Sequence, residues 1–129
     1  MACYTPEEAV VITATLVFLV ALFTYGVVVN AMYCGGSICF SRITIRELVV
    51  EIAVDAIEVL AFFYLASESK SSLVLAAAWV TLLFDIVGVI YTATNYGKQA
   101  SPRLWLVWLA IASDAAMIVV CVYGYTTVI

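Results

Sequence analysis

The stretch that decides the fold is RELVVEIAVDAIEVLAFF, residues 46–63. It is apolar enough for the inside of a membrane, yet it carries Glu47, Glu51, Asp55 and Glu58. On a helix turning 100° per residue these four fall at about 0, 40, 80 and 20 degrees, within an arc of about 80°. Val50, Ala53, Val54, Ile57 and Ala61 cover much of the rest. The segment is therefore expected to be a helix with a narrow acidic stripe on an otherwise apolar surface.

The surrounding chain fixes what that helix is packed in. Of 129 residues, 67% are hydrophobic and 11% charged, and the mean hydropathy is +1.18. A soluble domain carries about 25% charged residues, so too little polar surface exists to coat a soluble core. The composition predicts an integral, multi-pass membrane protein forming one transmembrane domain over 1–129, with the cytoplasmic membrane as its expected home.

Four apolar stretches are expected to be spans, at about 8–30, 45–66, 73–94 and 104–123. Each is about 20 residues or slightly more, which crosses roughly 30 Å of hydrocarbon as a helix. The backbone must satisfy its own hydrogen bonds in lipid, so the fold class is all-α, a four-helix transmembrane bundle with short loops. The opening stretch MACYTPEEAVV lacks the basic leader of a secretory signal and reads as the approach to a retained span.

Local punctuation agrees. Thr5-Pro6-Glu7-Glu8 and Thr44-Ile45-Arg46-Glu47 fit capping boxes, and Ser101-Pro102 suggests a third helix start. Gly35-Gly36 and Gly97 fall where the first and third helices should stop. Arg42, Arg46, Lys98 and Arg103 flank two loops, whereas the loop SESKSS holds Lys70 alone. That bias predicts both termini on the outer side and the arginine-bearing loops in the cytoplasm.

Depth along the spans singles out more acids. Asp55, Asp85 and Asp114 fall near the middle of the second, third and fourth spans, with Glu51 and Glu58 about one turn to either side of Asp55. No Lys or Arg lies deep in any span to offset them. Isolated charge at the bilayer centre costs about 2.5–3.5 kcal/mol on insertion scales, so each such acid needs an explanation. Glu51, Asp55, Glu58, Asp85 and Asp114 are thus candidates for an ion or proton pathway, or for pairing with basic groups of a neighbour. The plainer reading is interhelical hydrogen bonding, with Thr13, Thr15, Thr24, Thr81, Ser113 and Tyr25 as partners. Glu47, in a first helical turn beside Arg42 and Arg46, is expected to cap its helix.

Other chemistry is thin. The chain has no histidine, which removes His-ligated haem, zinc or copper and His-based acid–base catalysis. No nucleophile–base set appears, so the chain is not expected to be an enzyme. Net charge is −4 with no basic run, which argues against nucleic acid as a partner. Cys34 and Cys39 are too isolated for a metal site; Cys3 and Cys121 both fall near the outer face, where a disulfide would tie the ends together. Tyr and Trp at the span ends read as an interfacial belt, and Trp79 is placed to meet a partner helix. Four short spans resemble the small multidrug-resistance transporters superficially, but no acid follows the first turn of the first span; the fourth lacks the arginine ladder of a voltage sensor.

The expectation these features favour is a small non-catalytic accessory subunit of a larger membrane complex, respiratory or oxidising in kind. Its partners would be other integral membrane subunits or further copies of itself, and lipid. No cofactor is expected within the chain, although lipid or pigment between subunits would fit. The first alternative is a proton- or cation-conducting oligomer using the midplane carboxyls. A further one is a membrane-associated structural protein such as a viral coat or envelope component.

Overall fold

The computed structural model describes residues 3–128. It is all-helical, with α1 (Pro6–Cys34), α2 (Ile45–Ser69), α3 (Ser72–Thr94) and α4 (Leu104–Val128). Three of them, α1, α3 and α4, are long and apolar enough to cross a membrane. α2 is as long, at 25 residues, but Arg46, Glu47, Glu51, Asp55, Glu58 and Glu68 interrupt its apolar character.

The helix ends follow from a few side chains. Thr5 Oγ1 accepts from the Glu8 amide at 3.2 Å, and Thr44 Oγ1 accepts from the Glu47 amide at 3.3 Å. The Glu47 carboxylate does not complete its box; it accepts a 2.8 Å bond from the Ser41 hydroxyl, holding the preceding loop against the helix start. At the end of α1, Gly36 adopts φ +76°, the Gly36 amide donates to the Tyr33 carbonyl and the Ser37 amide to the Met32 carbonyl. That is a Schellman ending, which needs a residue free of the Cβ penalty.

α4 starts at Leu104, where the fourth span was expected, but not through a Ser101-Pro102 cap. Ser101 and Pro102 precede the helix, and the Arg103 carbonyl receives the amides of Leu106 and Val107 at 3.0 and 3.2 Å. Pro102 serves elsewhere: its carbonyl accepts the Tyr33 hydroxyl at 3.1 Å, joining the end of α1 to the start of α4. Three helices also run past their apolar stretches. α1 reaches Cys34, α2 reaches Ser69 and α4 reaches Val128. The Ser69, Thr126 and Thr127 hydroxyls bond to carbonyls three residues back, so these polar last turns stay helical.

α1 packs along α4 and α2 along α3, and the two pairs meet chiefly through α2. The α1–α2 and α3–α4 loops are stitched together at one end. The Ile43 amide donates to the Lys98 carbonyl and the Gly97 amide to the Ile43 carbonyl, both at 2.9 Å. Arg42, Arg46, Lys98 and Arg103 are therefore gathered at one end of the bundle, the basic end. The start of α1, the end of α4 and the α2–α3 turn lie at the other.

The packed core occupies one half of the bundle. Ile12 and Leu19 of α1, Phe62 and Leu65 of α2, Val74 and Ala78 of α3, and Cys121 and Val128 of α4 belong to one buried cluster, all toward the α2–α3 turn. Phe23 meets Phe62 edge-on at 5.9 Å. Gly124 lets α4 approach α3 closely; a Cβ there would lie 2.8 Å from Val74 Cγ2. Among the described residues of the basic half, the buried side chains are Ile43 and Val107.

Candidate functional site

α2 is turned the opposite way from an amphipathic helix of a soluble protein. Val49, Val50, Ile52, Ile57 and Leu60 are exposed, the last by 70%, while Glu51, Asp55 and Glu58 are turned inward and half-buried. The inward stripe of α3 runs Val74, Ala77, Ala78, Thr81, Asp85, Gly88, Thr92. Facing these two stripes across the α2–α3 contact brings acids of both helices together.

Glu58 and Asp85 bring their carboxyl groups close together across the α2–α3 contact. Two carboxylates held side by side repel each other when both are ionised, so a proton on one of them relieves the pair. Asp114 reaches the same place from α4, close enough to interact electrostatically with Glu58 and Asp85. Asp55 adjoins from one turn below on α2, next to Glu51 and Glu58. α1 contributes no acid to this layer but a space: a Cβ on Gly26 would collide with the Asp114 carboxylate. Gly88 of α3 faces Glu51 less tightly, with Oε1 3.3 Å from where a Cβ would stand.

Glu51 belongs to a lower step of the same column. It lies within hydrogen-bonding reach of Thr92, whose hydroxyl already donates to the Gly88 carbonyl at 3.0 Å. From Thr92 up to Thr81 the column covers 11 residues of α3, or about 16 Å of helix.

Thr81 and Asp85 hold the upper end. Thr81 is 3% exposed, and its Oγ1 has no hydrogen-bond partner. Asp85 Oδ2 is buried and also without a partner. Leaving such a group unsatisfied costs about 1–3 kcal/mol. These two atoms, four residues apart on one stripe, are the buried side-chain oxygens without partners among the described residues.

Two of the six hydroxyls expected to serve as glue are engaged elsewhere. Thr13 Oγ1 bonds Tyr125 Oη at 2.9 Å near the chain ends, and Thr15 bonds the Val11 carbonyl. Thr92, which pattern alone had not marked, is the hydroxyl that meets an acid. Gly26 was equally unmarked, since a glycine amid the apolar run TYGVV carries no charge or motif to signal it.

Other candidates resolve plainly. Cys3 and Cys121 do not form a bridge: all four cysteines are free, with Cys3 and Cys39 exposed and Cys121 in the core. Among the described residues, no group of three Cys, Asp or Glu side chains is arranged to hold a metal ion. Trp79 is 55% exposed and meets Phe63 edge-on at 5.0 Å. An open apolar groove of about 520 Å³ runs outside the α2–α3 pair, lined by Ile52, Val59, Leu60, Leu82, Ile86 and Ile90, with Asp55 and Asp85 at its floor.

The geometry defines a helical bundle with three membrane-crossing candidates and a carboxyl layer shared by three helices. Comparison with protein-family models, curated proteins and solved structures returns no match.

Proposed function

We propose that this chain is a four-span integral membrane protein of the cytoplasmic membrane that binds protons on its carboxyl layer and passes protons or a cation across the bilayer. The observation that carries this reading is the Glu58–Asp85 contact, joined by Asp114 from a third helix, in a chain with no Lys or Arg deep in its helices to neutralise them. Acids clustered inside a bundle titrate as a group and take up or release protons together, which is the chemistry a relay needs. The outward apolar face of α2 supports its being the fourth span, since it presents carbon to the solvent and carboxyls to the interior. The clustering of Arg42, Arg46, Lys98 and Arg103 supports a cytoplasmic basic end, with both termini outside. The test is proton flux in liposomes under an imposed gradient, read by an internal pH dye. Wild-type chain should conduct, and Asp85→Asn and Glu58→Gln should each abolish the flux. A wild-type chain that leaves the gradient intact would sink the proposal.

A second reading, a non-catalytic accessory subunit of a larger membrane complex, draws support from the α2–α3 groove. A neighbour's helix, or a lipid or pigment held between subunits, fits that apolar trough, and a basic side chain there would meet Asp55. Co-purification with other membrane subunits is its expected signature. A stable, monodisperse homo-oligomer in mild detergent would count against it.

A further inference from the structure

The two unpartnered oxygens of α3 and the one-sided core point to a bound water. We propose that Thr81 Oγ1 and Asp85 Oδ2 hold an internal water molecule that carries protons to the carboxyl layer. The proposal deepens the proton-binding reading and rests on it for the water's role.

The two residues stand four apart on one stripe, so their Cα atoms are separated by about 6 Å along the axis. One water spans two oxygens about 5.5 Å apart with ordinary hydrogen bonds to each. An internal water is held by two to four polar partners. Here Thr81 and Asp85 supply two, and Glu58 from α2 and Asp114 from α4 are neighbours of Asp85. Asp55 is the remaining titratable neighbour from α2; α1 presents Gly26, which carries none.

The buried core closes one direction, while the α2–α3 groove lies open beside Asp55 and Asp85. Toward the α2–α3 turn the interior is closed by Phe62, Leu65, Val74, Ala78 and Cys121, each fully buried. Toward the basic end the interior below Asp85 is lined by Gly88, Glu51 and Thr92, small or polar groups that water wets. A proton arriving on the bound water as hydronium moves to the Asp85 carboxylate. The O–H bond breaks at the water and forms at Oδ2, and neutral water stays hydrogen-bonded to Thr81.

Infrared difference spectroscopy on the full chain in vesicles tests this, comparing H₂¹⁶O with H₂¹⁸O across a pH step. The expected result is an ¹⁸O-sensitive O–H band that changes together with the Asp85 carboxyl band. Asp85→Asn and Thr81→Val should remove it, and Thr81→Ser should keep it. Thr81→Val should also slow proton uptake by about tenfold, the cost of one lost hydrogen bond. No ¹⁸O-sensitive band in the wild type, or a band that survives both Asp85→Asn and Thr81→Val, overturns the site. Should Thr81→Val not fold, the wild-type isotope comparison and Thr81→Ser decide. Flux without the band refutes the water site and leaves proton conduction standing. The band without flux establishes the water site and refutes conduction.

Discussion

Gly26 of α1 lies directly against the carboxylate of Asp114 on α4, so closely that no side chain fits between them. Gly26→Ala must push either the helix or the carboxylate aside. Overpacking of this kind costs about 1–3 kcal/mol. The loss should appear in denaturant titration of the detergent-solubilised chain, and the pair Gly26→Ala with Asp114→Ala should recover most of it. A single Gly26→Ala variant as stable as wild type would show that the two helices do not meet as described.

Lys70 closes the α2–α3 turn in the left-handed region, at φ 53°. A side chain there pays about 1–2 kcal/mol that glycine does not. Lys70→Gly should therefore stabilise the chain by about 1 kcal/mol, after the entropy glycine adds to the unfolded state. A lower unfolding midpoint in Lys70→Gly would contradict the turn geometry.

The exposed thiols sit at opposite ends of the bundle, Cys3 beside the chain terminus and Cys39 in the basic loop. With the basic end in the cytoplasm, a membrane-impermeant maleimide should label Cys3 but not Cys39 in intact cells. Detergent should release Cys39, while Cys121 stays inert until the core is denatured. Labelling of Cys39 in intact cells would reverse the orientation.

Tyr4 packs against the edge of the core, and that burial, followed by the Glu68 carboxylate beside it, raises its phenol above the ordinary 10.0. The folded chain thus holds this proton more tightly than the unfolded one. Its contribution to stability is present below about pH 10 and is lost as pH rises through the raised folded value. Phenolate absorbance, taken as wild type minus Tyr4→Phe, should titrate late, and Glu68→Gln should bring it earlier. An unshifted titration in Glu68→Gln would remove Glu68 as a cause.

Much of this was legible in the sequence because it depends on local periodicity. The 100° arithmetic placed Glu51, Asp55 and Glu58 on one face, and counting residues from the helix ends put Asp55, Asp85 and Asp114 at one level. Thr5 and Thr44 announced their caps through side-chain chemistry that acts within three residues. What escaped depends on contacts between distant segments. Gly26 matters only because Asp114 lies opposite, and the half-sided core arises from how α1–α4 and α2–α3 pack. The Ser101-Pro102 cap did not form, and Pro102 instead meets Tyr33, a partner 69 residues away.

The packing of α1 along α4, pinned by the Thr13–Tyr125 hydrogen bond, makes the first and last helices neighbours. The bundle is then a closed ring of helices whose covalent break happens to fall between those two. Joining the ends by a short linker and cutting at the Lys70–Ser71 turn would yield a circular permutant with the same carboxyl layer. In such a chain the layer's three acid-bearing helices would no longer be consecutive, with α1 interposed by the new connection between α4 and α2.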